Sequence, residues 1–280
     1  MYRRIRASLR TLMQRVGRRW PDPNLTREYA SVQMRLDSLR LVKNQPDLES
    51  EFTCELPGTG HHRRLCRSGF NISWISEFGI VPKVIFDIGS YDGGDSIRFK
   101  EKFRDASVIS FEADPVRYRI VRENVEPFGI KPVNSAVCER DNPIQWYQAS
   151  YDDIEGRSVG GQGSLFRHSA EFRREFDFIQ QSETSITVKG TRIDSFCREV
   201  GVDEIDLAHI DVEGAEYEVI CGLGSTLPRM IYLETTFDRW IGAKNPREVH
   251  RKLSSIGYVL AADLPGNRLY VRTDVARCLS

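Results

Sequence analysis

From about residue 71 onward, short β-branched runs alternate with amphipathic stretches, and this alternation constrains the fold more than any other feature of the chain. Apolar runs at 83–88, 107–112, 131–137, 144–149, 185–190, 205–212, 230–235, 258–262 and 268–273 predict strands. Helical spacing covers 94–103, 115–128, 193–200, 215–223 and 246–256. Asp114-Pro115 and Asn245-Pro246 each place an N-cap residue before a proline suited to the first helical turn. Thr191 and Asp194 have the spacing of a capping box. Strands that alternate with helices bury both faces of a sheet, so the pattern predicts a doubly wound, mostly parallel α/β fold. Residues 150–183 break the rhythm with Gly156, Gly160, Gly161 and Gly163, followed by the charged aromatic stretch EFRREFDF. An excursion of that length predicts a lid or a substrate-binding insertion.

The first 70 residues have another texture. Tyr2, Ile5, Leu9, Leu12, Met13, Val16 and Trp20 fall on one helical face, and seven Arg without an acid fill residues 1–20. Pro21-Asp22-Pro23 stops that helix, and Leu25, Tyr29, Val32, Leu36 and Leu39 carry a second apolar stripe. Three readings of residues 1–20 stay open: a helix lying in a membrane interface, a helix packed on 25–39, or a cleaved targeting segment. Residues 44–68 are polar and contain Pro46, Pro57, Gly58 and Gly60, which predicts a linker. The chain is thus read as a basic helical extension and linker, 1–70, and a domain, 71–280. Lys+Arg and Asp+Glu both number 40, so removing the seven N-terminal Arg leaves 33 basic and 40 acidic groups in the other 260 residues. A body of that sign offers no bulk electrostatic case for nucleic acid. Six scattered Cys predict reduced thiols in a cytoplasmic setting, peripheral at the inner membrane face if residues 1–20 bind lipid. The spacing of Cys54, His61, His62 and Cys66 is not that of a structural zinc site.

The chemistry-bearing segment is VIFDIGSYDGGDS, 84–96. An apolar strand ends in Asp87, Gly89 and Gly93 follow, and a helix starts near Gly94. Ligands of such sheets bind at the carboxyl ends of the strands. Glycine lets the backbone turn sharply, and a helix N-terminus offers free N–H groups. The next strand ends in Glu112, 25 residues after Asp87, where a carboxylate can accept from both hydroxyls of a ribose. A dinucleotide fingerprint requires Gly at position 91, which is Tyr, so a nicotinamide oxidoreductase is disfavoured. S-adenosylmethionine, with a ribose and an amino-acid end but no pyrophosphate, suits the spacing better.

DIGSYDGGDS (87–96), FEADP (111–115), VKGTRIDSF (188–196) and HIDVEGAEYEVICG (209–222) together resemble the FkbM-type methyltransferases. The resemblance covers about residues 80–262. It implies a mostly parallel, seven-stranded Rossmann-like sheet and S-adenosylmethionine-dependent methylation, mostly of hydroxyls on sugars and natural products. Carried onto this sequence, it implies a cofactor loop of Asp87, Gly89, Ser90, Tyr91 and Gly93, with Glu112 and Ala113 at the ribose. Asp211, Glu213, Gly214 and Glu216 would form a signature turn beside the transferred methyl. Tyr91 and His209 depart from the family pattern, which usually has a small or amide residue and a Lys there.

A hydroxyl acceptor is a poor nucleophile until a base or a metal takes its proton. Asp211 is the first candidate for that role and Glu234 the second, with His209 beside them. Asp211 and Glu234 would also be the ligands of a Mg²⁺ ion, which the spacing permits but does not require. Glu213, Glu216, Ser164 and His168 are candidates for acceptor binding, although acids in a first turn also serve the helix dipole. The expected partner is a small-molecule or glycan acceptor. The competing reading is a Rossmann-like binding or scaffold protein without catalysis.

Overall fold

The computed structural model describes residues 50–152, 158–235, 239–264 and 266–277. The two N-terminal stripes and Cys278 lie outside the described residues. Among the described residues no two cysteines are joined by a disulfide.

The described chain begins with β1 (Ser50–Glu55) and β2 (His62–Arg67), an antiparallel hairpin, so the linker expected over 44–68 is corrected from residue 50 onward. Arg64 pairs with Glu51 across the hairpin, which makes its outer face as polar as a loop. Its inner face buries Cys54, Leu56 and Leu65 in the main core. Gly58 and Gly60 make the connecting turn rather than a flexible tether. The hairpin sets Cys54 opposite Arg63 and Cys66 opposite Glu51. Residues 66–70 then cross toward α1 (Ser73–Glu77).

The alternation expected from the sequence follows: β3 (Val84–Ile88), α2 (Gly94–Lys102), β4 (Ser107–Glu112), α3 (Pro115–Val125) and β5 (Lys131–Asn134). After the insertion come α4 (Ile193–Val200), β6 (Leu207–Ile210), α5 (Glu216–Gly222), β7 (Met230–Glu234), α6 (Pro246–Ser255), β8 (Tyr258–Leu264), β9 (Asn267–Arg272) and α7 (Thr273–Arg277). The strands form one seven-stranded sheet in the order β8-β9-β7-β6-β3-β4-β5. β9 runs antiparallel to β7 and β8, and the remaining neighbours are parallel. Phe70, Trp74, Phe99 and Tyr232 fill one face, and Phe86, Phe111, Phe196 and Tyr270 fill the other. The chain builds outward from β3 to β4 and β5, then returns past β3 to lay down β6 on its other side. The carboxyl ends of β3 and β6 therefore flank a topological switch point, where such sheets open a crevice.

Two local expectations change. The strand expected over 131–137 breaks at Ser135, and Ala136–Val137 leaves the main sheet to pair with Gly190–Thr191. Thr191 is therefore strand, bonded to Ser135, and the cap of α4 is Arg192 without a side-chain cap bond. The capping proline helices formed as expected: Asp114 accepts from Val116 and Arg117, and Asn245 forms a capping box with Glu248. The insertion contains strands Ala149–Asp152, Ser158–Gly160 and Gln180–Gln181 in one small sheet, and a helix, Ala170–Glu175, capped by Ser169.

Candidate active site

A cavity of about 520 Å³ opens at the switch point and is roofed by the insertion. That volume lies within the range of ligand pockets, roughly 300–1,000 Å³. The three described non-glycine residues with positive φ, Tyr91 (56°), Gln162 (58°) and Glu213 (54°), all line it. Strained backbone concentrated in one cavity is characteristic of functional sites.

At one end stands the loop after β3. Gly89 has φ 88°, and a Cβ there would lie 1.8 Å from the Asp211 carbonyl oxygen, so the tips of β3 and β6 touch only because this residue lacks a side chain. The Tyr91 and Asp114 N–H groups donate to the two oxygens of Glu112, at 3.1 and 2.8 Å. An ionised carboxylate has about four acceptor sites, so two remain for the hydroxyls of a ribose. Burial pushes the Glu112 carboxyl up to about 7, against the pull of those N–H donors and of Arg117. The Arg117 guanidinium sits 4.0 Å over the Tyr91 ring, and its Nε donates to the Tyr91 carbonyl at 3.1 Å. The Tyr91 hydroxyl lies 3.2 Å from that of Tyr151, joining the loop to the insertion.

At the other end, Asp211, Glu213 and Glu234 each present an oxygen within 4.8 Å of the others. Arg239 Nη1 stands 3.7 Å from Glu234 Oε1, and its charge opposes the upward push of burial on the Glu234 carboxyl. Burial, then the neighbouring Glu234 charge, holds Glu213 well above the carboxylate range. The same two causes, in that order, raise Glu216 to about 8. Phe172 and Phe176, four residues apart with ring centroids at 4.8 Å, line the same cavity with Leu165 and Ile179, and the Arg239 guanidinium lies 5.8 and 5.9 Å from the two rings. The lining of this end thus combines hydrogen-bond acceptors with apolar aromatic side chains.

Of the residues singled out in the sequence, Asp87, Gly89, Ser90, Tyr91, Glu112, Ala113, His209, Asp211, Glu213 and Glu234 line the cavity. Gly93, Ser164, His168 and Glu216 do not. Gly93 caps α2, and Ser164 donates to the Glu213 carbonyl at 2.6 Å. His168 bonds the Gln162 carbonyl at 3.0 Å, and Glu216 accepts from Gly214 N at 3.1 Å. Ser164 and His168 stand behind the lining instead of in it and brace Glu213 and Gln162, which face the cavity, while Glu216 holds the Gly214 turn. Both ring nitrogens of His209 are engaged, by Asp87 and by Ser68. Sequence reasoning missed Ser68, Arg117, Gln162 and Arg239. Phe172 and Phe176 had a legible signal, since their i, i+4 spacing follows an N-cap serine. Gln162 donates to Glu213 from 51 residues away, and no local pattern encodes such a contact.

A sequence profile of the methyltransferase FkbM domain matches residues 87–260. A 2-O-methyltransferase, NoeI, of Sinorhizobium fredii (strain NBRC 101917 / NGR234) is 31% identical over 155 residues, 55% of this chain. The chain spans 63% of the length of that curated relative. Among solved structures, methyltransferase FkbM from Methylobacillus flagellatus KT aligns with 96% of this chain and 59% of its own, at 12% identity and a TM-score of 0.43. The precorrin-6y C5,15-methyltransferase of Geobacter metallireducens GS-15 aligns over 64% of each chain, at 14% identity and a TM-score of 0.35.

Proposed function

The chain belongs to the FkbM methyltransferase family, and from that premise we propose that it methylates a hydroxyl of a sugar, glycan or glycolipid with S-adenosylmethionine. The observation that carries this reading is one cavity lined by Glu112, the Gly89 loop, the carboxylates Asp211, Glu213 and Glu234, and the rings of Phe172 and Phe176. Aromatic faces suit the C–H side of a sugar ring, and carboxylates suit its hydroxyls. The volume and the two open acceptor sites of Glu112 fit the cofactor. When bound, S-adenosylmethionine supplies a methyl group on a positively charged sulfur. The protein supplies alignment, which contributes much of the rate in such displacements, and a destination for the acceptor's proton. An Asp211 oxygen lies within 4.8 Å of oxygens of Glu213 and Glu234, which places its carboxylate as the base for that proton. Arg239 limits the rise of the Glu234 carboxyl, and Gln162 and Ser164 hold Glu213 in place.

A second reading of the same carboxylates is a Mg²⁺ site, favoured by the mutual approach of the Asp211, Glu213 and Glu234 oxygens. EDTA separates the two. Activity lost to the chelator and restored by Mg²⁺ assigns the metal, whereas indifference to it assigns the base.

Transfer of label from methyl-labelled S-adenosylmethionine to a hydroxylated glycan fraction tests the function. Cofactor binding without transfer to any hydroxyl would favour a binding protein that lacks catalysis. We propose as well that residues 1–20, with seven Arg and no acid, attach the enzyme to an anionic membrane surface beside a lipid-linked acceptor. Among the described residues, no helix is long and apolar enough to cross a membrane.

A further inference from the structure

Ser68 and Asp87 are joined through His209, more than 120 residues further along the chain, into one linked row at the cavity. Asp87 Oδ1 accepts from His209 Nδ1 at 2.9 Å, and Oδ2 accepts from Ser96 Oγ at 2.5 Å. His209 Nε2 lies 3.1 Å from Ser68 Oγ. Asp87 is 1% exposed and His209 3%. The imidazole stacks on Tyr232 at 5.6 Å and 7°, with the edge of Phe99 at 5.7 Å. Its ring therefore cannot turn without breaking bonds at both nitrogens.

Ser68 differs from the other two, because it is partly exposed and faces the cavity beside Arg67 and Gly69. The segment that carries it is strapped over the cofactor loop. Cys66 N donates to Asp92 at 2.8 Å and Ser68 N to Asp95 at 2.7 Å. Arg98 donates to the carbonyls of Ser68 and Phe70, at 3.4 and 3.2 Å. The strap lies so close that a Cβ on Gly94 would stand 1.8 Å from the Cys66 carbonyl oxygen. These bonds fix the strap without His209. A buried imidazole–carboxylate pair is a costly way to add one more brace, since apolar side chains would pack there at lower cost. What the pair adds is a hydroxyl with a set orientation at a cavity wall.

Its place in the sheet indicates the ligand group. Glu112 ends β4, on one side of β3, and His209 sits on β6, on the other side. A molecule whose ribose lies at Glu112 and which crosses the tip of β3 brings its far end to Ser68. We infer that Ser68, oriented by the His209–Asp87 pair, contacts the α-amino-carboxylate arm of S-adenosylmethionine. This rests on the methyl-transfer reading above. His209 is then a positioning residue that acts through Ser68, and Arg67 brings a positive charge to the same wall.

Calorimetry on the full chain with two ligands tests the inference. S-adenosylhomocysteine has the amino-acid arm, and 5′-methylthioadenosine lacks it. Ser68→Ala is expected to weaken the first about tenfold, the scale of one lost hydrogen bond to a charged group. Affinity for the second stays within about twofold, and Ser68→Thr restores the first. His209→Asn lowers the ratio of the two affinities in the parent chain but not in the Ser68→Ala background, because residues acting through one contact are not additive. Equal weakening of both ligands, or of neither, overturns the assignment. If the unsubstituted chain binds neither ligand, the methyl-transfer reading itself fails and this inference with it.

Discussion

Burial sets the Glu112 carboxyl near 7, so close to neutrality it exchanges between a form with a proton and one without. Only the ionised form offers both oxygens to ribose hydroxyls. Cofactor affinity is therefore expected to rise as pH increases through about 7 and to level off above it. Calorimetric titrations on both sides of that pH check the sign, and Glu112→Gln should flatten the profile. Glu112→Ala removes charge-assisted bonds of roughly 1.5–3 kcal/mol, which corresponds to at least tenfold in the dissociation constant. An unchanged constant with the fold intact removes Glu112 from the cofactor site. Asp211 makes a different prediction. If it takes the acceptor's proton or holds a metal, Asp211→Asn lowers kcat far more than it weakens cofactor binding, because the interaction matters in the transition state. Near-normal turnover in that variant moves the role to Glu234.

At the scale of elements, the strap of residues 66–70 is as much a part of the domain as any central strand. Phe70 is fully buried, with its ring 4.9 Å from Tyr232 and 5.7 Å from both Trp74 and Phe99. Phe70→Ala should cost about 3–5 kcal/mol in urea unfolding, as for other buried aromatics. A loss below about 1 kcal/mol would mean that the strap is an appendage rather than core. The insertion is joined to the rest in the same way, through contacts remote in sequence. Gln162 and Ser164 hold Glu213, and Tyr151 meets Tyr91, so the roof of the cavity and its floor form one bonded unit.

At the scale of the whole molecule, charge is segregated. Seven Arg occupy residues 1–20, and the rest of the chain carries a net excess of acid. Full-length protein is expected to co-sediment with anionic vesicles, with binding that weakens as salt rises and disappears in a chain starting at Pro21. Loss of folding or of self-association on that truncation, without vesicle binding, would show instead that the stripe packs on protein.

The seven strands of the main sheet and the helices between them, the Asp114 and Asn245 caps, and the crevice at the strands' carboxyl ends were legible in the sequence. The reason is local: apolar period, cap chemistry and the Gly89 turn act over a few residues. Asp87, Glu112 and Asp211 were legible as well, since a residue at a strand's carboxyl end faces the crevice whatever the tertiary details. The hairpin of residues 50–67 was not, because an exposed strand with Arg and Glu paired across it has the composition of a loop. The roles of Ser68, Gln162 and Arg239, and the positions of His168 and Ser164 behind the wall, were decided by tertiary structure alone. His209 meets Ser68 across 141 residues of sequence and Asp87 across 122. Contacts of that range follow from strand order and strap path, which no local pattern of residues encodes.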